Sequence, residues 1–236
     1  MMIFSSRKYR NIVKQIFLRC RTLDFYFGQR AILDKDLKLI YIPLPKCANS
    51  HVKKALLASR QTRNEFRVHD PRNFSWLHPR KITQYAQSGE YHIFCIIREP
   101  RERIFSAYKN KVLDQSATFL PVRDLGLSQG DTIGKFVQAI ITWPKMLLND
   151  HFKPQIDLLK GYNFNEIKFY SLENQIDMLT LEKKLTSHGC HIDLLQRTNR
   201  SSNTNIFVTA ETENKLSHFL KEDFDFYISM QKKSDI

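Results

Sequence analysis

Glycine is scarce in this chain, and it is missing where a nucleoside-triphosphate site would need it. Only seven of the 236 residues are glycine, and none lies between Pro43 and Lys54. The usual phosphate loop of ATP- and GTP-dependent enzymes needs glycines for close backbone approach and ends in Gly-Lys-Ser or Gly-Lys-Thr. The sequence therefore argues against a common kinase, which we keep only as an alternative.

Paired cysteines and long apolar runs are also missing. The four cysteines, Cys20, Cys47, Cys95 and Cys190, stand far apart and show no C-x-x-C spacing. This pattern lacks zinc-ligand spacing and argues against a disulfide framework. No stretch approaches the 18 apolar residues that a membrane-spanning helix needs.

Acidic residues are too few to balance the basic ones. The chain has 37 Lys and Arg residues against 24 Asp and Glu residues, a formal net charge of +13. Such an excess predicts an anionic partner that is attracted by electrostatic steering. The basic residues are spread along the chain and no nucleic-acid-binding motif is present, so we do not expect nucleic-acid binding.

The stretch 38–57, LKLIYIPLPKCANSHVKKAL, is the most informative part of the sequence. An apolar, β-branched run ends in Pro43 and Pro45, Lys46 follows, and a helical pattern begins near Ser50. A strand, a short loop and a helix N-terminus together expose backbone N–H groups and the positive end of the helix dipole. The pattern predicts a phosphate or sulfate cradle.

A second stretch, YHIFCIIREPRERIFSAYKNKV at 91–112, repeats this arrangement. A buried-looking strand leads to Arg98, Pro100 opens a helix, and Ser106 lies two turns along it. Ligands of open α/β sheets bind beyond the carboxyl ends of the strands. Arg98 is therefore predicted to grip a phosphate bidentately while Ser106 donates to the same group.

These two motifs resemble those of a known family. PKCANSHVKK resembles the 5′-phosphosulfate loop of sulfotransferases, and REPRERIFSAYKNK resembles their 3′-phosphate motif. The likeness is greatest to carbohydrate sulfotransferases of the HNK-1 and chondroitin 4-O type, which use 3′-phosphoadenosine 5′-phosphosulfate (PAPS). Two further segments, NDHFKPQIDLL at 149–159 and EDFDFY at 222–227, resemble motifs of the same family more weakly. The likeness spans roughly residues 38 to 227.

The resemblance implies a donor and a reaction. The donor is PAPS, the acceptor is a carbohydrate hydroxyl, and no metal is required because Lys46, backbone N–H groups and a helix dipole share the charge. Arg98 and Ser106 would hold the 3′-phosphate, and Asn199–Ser202 would close over the nucleotide. The residues implied to hold the 5′-phosphosulfate are Lys46, Cys47, Ala48, Asn49, Ser50 and His51.

A general base is still needed to take the proton of the acceptor hydroxyl. His78 stands before a proline about twenty residues upstream of Arg98, and His151 belongs to the NDHFKPQ segment. We place His78 first and His151 second, and Glu173, which follows a strand, is the fallback. Each histidine has a structural alternative, since it can instead cap or bridge loops.

The charged residues around Arg98 and the aromatic ones near His151 carry less specific predictions. Arg101 and Arg103 alternate with glutamates, which is typical of a solvated, salt-bridged helix face, and a brace for the cofactor loop is the alternative for Arg103. Trp143 and Phe152 are expected to pack in a core, with a sugar-stacking platform as the alternative.

The predicted fold class is α/β, a P-loop-like three-layer sandwich with a central, mainly parallel sheet flanked by helices. We expect one domain over 31–236, preceded by a basic segment at 1–30. That segment has helical apolar spacing and is predicted to pack on the domain or to contact an anionic membrane surface. Because Golgi members of the resembled family carry an N-terminal anchor and this sequence shows none, we expect a bacterial, cytoplasmic enzyme. A non-catalytic binding protein on the same scaffold is the remaining alternative.

Overall fold

The computed structural model describes residues 29–60, 68–114, 120–195 and 206–234. Nearly all of the predicted N-terminal helix at 1–30 lies outside these residues. The described part divides into two compact units. The strand unit comprises 29–60, 68–99, 158–195 and 226–234, and the helical unit comprises 100–114, 120–157 and 206–225.

All five strands belong to the strand unit. They are β1 (Ala31–Asp34), β2 (Leu39–Ile42), β3 (Ser75–Leu77), β4 (His92–Ile97) and β5 (Lys168–Ser171). Their order in the sheet is β3-β1-β2-β4-β5. The pairs β2·β4 and β4·β5 are parallel, whereas β1·β2 and β1·β3 are antiparallel.

The α-helices of the described residues follow the strands or connect them. They are α1 (Asn49–Ala58), α2 (Ile82–Ser88), α3 (Pro100–Tyr108), α4 (Leu120–Asp124), α5 (Ile133–Thr142), α6 (Gln155–Leu158), α7 (Gln175–Ser187), α8 (Ala210–Phe219) and α9 (Lys221–Ser234). A π-helical segment, Lys109–Asp114, continues α3, and short 3₁₀ turns occur at Pro71–Asn73, Pro79–Lys81, Lys145–Leu147 and Phe164–Glu166.

The central strands are apolar, and this allows both faces of the sheet to be buried. Every residue of β2 is buried, as are the last five residues of β4. Continuous apolar runs of this kind are characteristic of parallel strands covered on both faces. Tyr41 and Phe94 stack across the pair with ring centroids 5.1 Å apart. On α1, Val52, Ala55 and Leu56 share one buried helical face.

The helical unit has its own core. Its buried residues include Ile104, Phe136, Ile140, Trp143, Phe152 and Leu216. Helix α5 begins at a Thr132 cap, whose side chain accepts from the Lys135 backbone N–H. Trp143 is 4% exposed and Phe152 is fully buried, which agrees with the predicted core packing and leaves no exposed ring face for a sugar.

The α/β class is confirmed, but the sheet is mixed rather than mainly parallel. The hairpin β1–β2 and the short strand β3 add two antiparallel pairings that the sequence analysis missed. Both missed strands are only three or four residues long, too short for a clear periodic signal. Among the described residues, no helix is long and apolar enough to cross a membrane.

Candidate functional site

Three parallel neighbours, β2, β4 and β5, carry the candidate site at their carboxyl ends. Lys46 follows β2, Arg98 follows β4 directly, and Glu173 lies two residues after β5. The order β2-β4-β5 makes these strand ends adjacent. The predicted anion pockets of Lys46 and Arg98 therefore share one edge of the sheet, where ligands of open α/β sheets bind.

The loop between β2 and α1 has an unusual backbone. Lys46 (φ 69°) and Ala48 (φ 54°) both adopt the left-handed conformation, which costs a non-glycine residue about 1–2 kcal/mol. Left-handed residues in short loops turn backbone N–H groups toward a common point and so form anion-binding nests. Ala48 caps α1 without any side-chain hydrogen bond, so no side chain at that position satisfies the first-turn N–H groups of the helix.

The side chains on either side of Ala48 fit an anion-binding loop to different degrees. Ser50 is half-buried at the second helical position, and Cys47 is fully buried with its thiol directed at the Pro45 carbonyl oxygen, 3.7 Å away. The Oδ1 atom of Asn49 is buried and has no hydrogen-bond partner among the described residues. Burial lowers the pKa of His51, so His51 is neutral at pH 7 and would meet an anion as a neutral donor.

Arg98 links two of the strand ends. Its Nη1 donates to the Lys46 carbonyl oxygen at 3.3 Å, and its Nε donates to Oε1 of Glu173 at 3.2 Å. The Arg98 side chain is only 21% exposed. These contacts fix the guanidinium beside the Lys46 loop, and they do not involve the lysine side chain.

Glu173 is a structural partner of Arg98, which the sequence analysis did not foresee. Its Oε2 accepts from the Glu99 backbone N–H at 3.1 Å and from the Tyr227 hydroxyl at 3.3 Å. Tyr227 also contacts the Ser171 hydroxyl at 2.8 Å. Burial and the nearby carboxylate raise the pKa of Tyr227 to about 12, so its hydroxyl stays a donor. Both carboxylate oxygens of Glu173 are thus engaged, one by Arg98 and the other by Glu99 and Tyr227, which weighs against Glu173 as the base.

The proton-accepting nitrogen of His78 is occupied by a backbone hydrogen bond. It caps the 3₁₀ turn Pro79–Lys81, with its Nδ1 accepting from the Arg80 backbone N–H at 3.3 Å. In a neutral imidazole only one nitrogen accepts. The accepting nitrogen of His78 is therefore engaged, and its Nε2 carries the hydrogen.

His151 has the opposite arrangement. Oδ1 of Asn149 accepts from the His151 backbone N–H at 3.1 Å and lies 2.8 Å from the His151 Nδ1. Because the backbone N–H needs an acceptor, this Asn149 atom is the oxygen, and the ring Nδ1 must then carry its hydrogen. The Nε2 atom of His151 is therefore the proton acceptor of the neutral ring.

The remaining predicted site residues lie elsewhere in the chain. Ser106 is half-buried on α3 and belongs, like His151, to the helical unit. Asn199–Ser202, the predicted closing loop, lies outside the described residues. No group of three or more metal-ligating side chains gathers in the part of the chain that the structure describes.

Comparison with known proteins identifies the family of the chain. A family model described as the sulfotransferase family matches residues 29–227, which include all three strand ends and both histidines. Neither a curated protein nor a solved structure shows a significant match to the chain. The match covers well over half of the 236 residues, and the chain accordingly belongs to the sulfotransferase family.

Proposed function

We propose that this protein transfers the sulfuryl group of PAPS to a hydroxyl of a carbohydrate, such as a glycan, a polysaccharide or a glycolipid. The observation that carries the proposal is the contact between Arg98 and the Lys46 carbonyl oxygen at 3.3 Å. It unites at one sheet edge the two cationic motifs that would receive the two anionic ends of the nucleotide. The carbohydrate acceptor rests on the likeness of the two motifs to the HNK-1 and chondroitin 4-O type.

The residues present fit the donor. The left-handed loop and the helix N-terminus without a side-chain cap suit the 5′-phosphosulfate. Lys46 would neutralise the charge that builds on the leaving phosphate oxygen. Arg98 and Ser106 would bind the 3′-phosphate, Arg98 through charge-assisted hydrogen bonds. Glu173 would keep the guanidinium in place.

The reaction balances as an in-line transfer. A bond forms between the acceptor oxygen and sulfur while the bond between sulfur and the bridging phosphate oxygen breaks. The acceptor hydroxyl loses its proton to a base, and 3′-phosphoadenosine 5′-phosphate leaves. Positioning and charge neutralisation do most of the work in such transfers.

We assign the base role to His151 rather than to His78. The tautomer of His151 leaves Nε2 as an acceptor, whereas the accepting nitrogen of His78 is used by the Arg80 backbone. A base whose second nitrogen is fixed by a neighbouring oxygen is the usual arrangement in histidine catalysis. This reverses the order that the sequence favoured.

The experiment combines ligand specificity with two histidine variants. We expect PAPS and 3′-phosphoadenosine 5′-phosphate to raise the melting temperature while ATP and GTP do not, and we expect labelled sulfate to pass from PAPS to an oligosaccharide mixture. His151→Ala should bind the product nucleotide normally and lose turnover by about 10²–10⁴-fold. His78→Ala should retain turnover. Equal stabilisation by ATP without sulfate transfer would point to a kinase, and loss of turnover confined to His78→Ala would make His78 the base.

A further inference from the structure

Arg103 is buried where the sequence predicts a solvated helix face. Its side chain is fully buried on α3, although glutamates precede it at 99 and 102. Its Nη1 donates to the Lys153 carbonyl oxygen at 2.7 Å, and its Nη2 donates to the Asp150 carbonyl oxygen at 2.8 Å. These two carbonyls flank His151, one residue before it and two residues after it. The arginine therefore holds the backbone on both sides of the proposed base.

A buried carboxylate holds the far end of the same segment. Asp223 is 1% exposed, and its Oδ1 accepts from the Ile156 backbone N–H at 2.9 Å. Its Oδ2 accepts from Nε2 of Gln155, a side chain that is also fully buried. Burial raises the pKa of Asp223, while the positive charge of Arg103 and these hydrogen bonds act in the opposite direction. The positive charge of Arg103 thus favours the ionised form of Asp223.

The segment between these contacts has little regular structure to fix it. Residues 149–153 form a turn in which the Phe152 and Lys153 backbone N–H groups donate to the Asn149 carbonyl oxygen at 2.9 and 3.1 Å. Beyond the turn, α6 has only four residues. The position of the His151 ring therefore depends on side chains that tie the segment to α3 and α9, and Phe152, fully buried, supplies the apolar part of that attachment.

We propose that Arg103 and Asp223 are positioning residues that act on sulfuryl transfer through His151. This inference rests on the proposed function, in which His151 is the base. Arg103 fixes the backbone on both sides of the ring, and Asp223 fixes the start of α6 behind it. A displacement of the ring by about 1 Å is enough to lower a rate about a hundredfold, so both side chains should control turnover without touching the substrate.

The test uses the full chain and a double-mutant cycle. Asp223→Asn and Arg103→Lys are made singly and in the His151→Ala background. Tyr108→Phe is the matched control, because Tyr108 also lies on α3 and donates to a backbone carbonyl, that of Asp131 at 2.8 Å, outside the segment that carries His151. Turnover, KM and affinity for the product nucleotide are measured for each protein, and ring ¹⁵N shifts report the tautomer of His151.

We expect Asp223→Asn and Arg103→Lys to lower kcat about tenfold to a hundredfold, with product affinity within about twofold, and to weaken the Nδ1–H tautomer signal. In the His151→Ala background they should cause no further loss, since residues that act through one group are not additive. Tyr108→Phe should change kcat less than about twofold in either background. If Asp223→Asn loses its cooperative melting transition, Asp223→Glu, which keeps the charge, is measured in its place.

Equal losses in both backgrounds, or an unchanged tautomer signal, would overturn the positioning role. If His151→Ala is inactive while Asp223→Asn and Arg103→Lys turn over like Tyr108→Phe, only this inference fails. If His151→Ala keeps normal turnover, the proposed base fails and the inference fails with it.

Discussion

The guanidinium of Arg98 donates to the backbone carbonyl oxygen of Lys46 at 3.3 Å, across 52 positions of sequence. The two residues follow β2 and β4, which are parallel and adjacent. The contact uses the main chain of Lys46 and not its ammonium group, so the two side chains can have different roles. We therefore expect variants of the two residues to fail in different ways.

Arg98→Ala should weaken binding of 3′-phosphoadenosine 5′-phosphate by about 2–4 kcal/mol, because a charge-assisted contact to phosphate is lost and the partner groups are left unpaired. Isothermal calorimetry measures the change. Arg72→Ala is the control, since Arg72 is 87% exposed and pairs with Asp70, and exposed pairs contribute little. Equal affinities of Arg98→Ala and Arg72→Ala would exclude Arg98 from the nucleotide site.

Lys46→Met should lower kcat about 10²–10³-fold, because the charge on the leaving phosphate oxygen is no longer neutralised. Product affinity should fall much less than in Arg98→Ala, since the carbonyl that holds Arg98 remains. Lys54→Met, an exposed position on α1, serves as the control. Steady-state kinetics with PAPS measures kcat for both variants. A normal kcat for Lys46→Met would show that Lys46 does not neutralise charge on the leaving oxygen.

Ala48→Gly should raise the free energy of unfolding by about 0.5–1 kcal/mol. Glycine removes a left-handed strain of about 1–2 kcal/mol and adds a smaller entropy cost in the unfolded chain. Ala139→Gly, within α5 and also half-buried, should instead lower it by about 1 kcal/mol. Urea denaturation compares the two, and destabilisation of Ala48→Gly would contradict the strain argument.

His92 should make the protein less stable in mild acid. Burial, reinforced by nearby positive charges, lowers its pKa to about 4 from an ordinary value of 6.5. The unfolded chain therefore binds a proton that the folded chain does not, and stability falls as the pH drops from about 6.5 toward 4, by up to about 3 kcal/mol.

Urea titrations at several pH values measure this loss. His92→Gln, which has no titratable group, should flatten the dependence, whereas His191→Gln, an exposed position of the same unit, should leave it in place. A slope that survives in His92→Gln would assign the acid sensitivity to other groups.

The sequence by itself determined where two candidate site residues lie, Lys46 after one apolar strand and Arg98 directly after another. Local patterns place Lys46 and Arg98 just after an apolar strand, and they place Ser50 and Ser106 in the helices that follow. The carboxyl ends of parallel strands collect ligands whatever the rest of the fold does. The same local logic accounts for the Thr132 cap of α5 and for Gly189, whose φ is +80° just after α7 ends at Ser187.

Tertiary structure alone decided which partners these residues meet. The pairing of Arg98 with Glu173 joins positions 75 residues apart, and the burial of Arg103 depends on carbonyls about 50 residues away. The antiparallel strands β1 and β3 have only three or four residues, too few for a periodic signal. The tautomers that we infer for His78 and His151 depend on which ring nitrogen a neighbouring group contacts. Periodicity and spacing in the sequence indicate only the local secondary structure of a segment. Contacts between distant segments are set by the register of the sheet and the packing of the core.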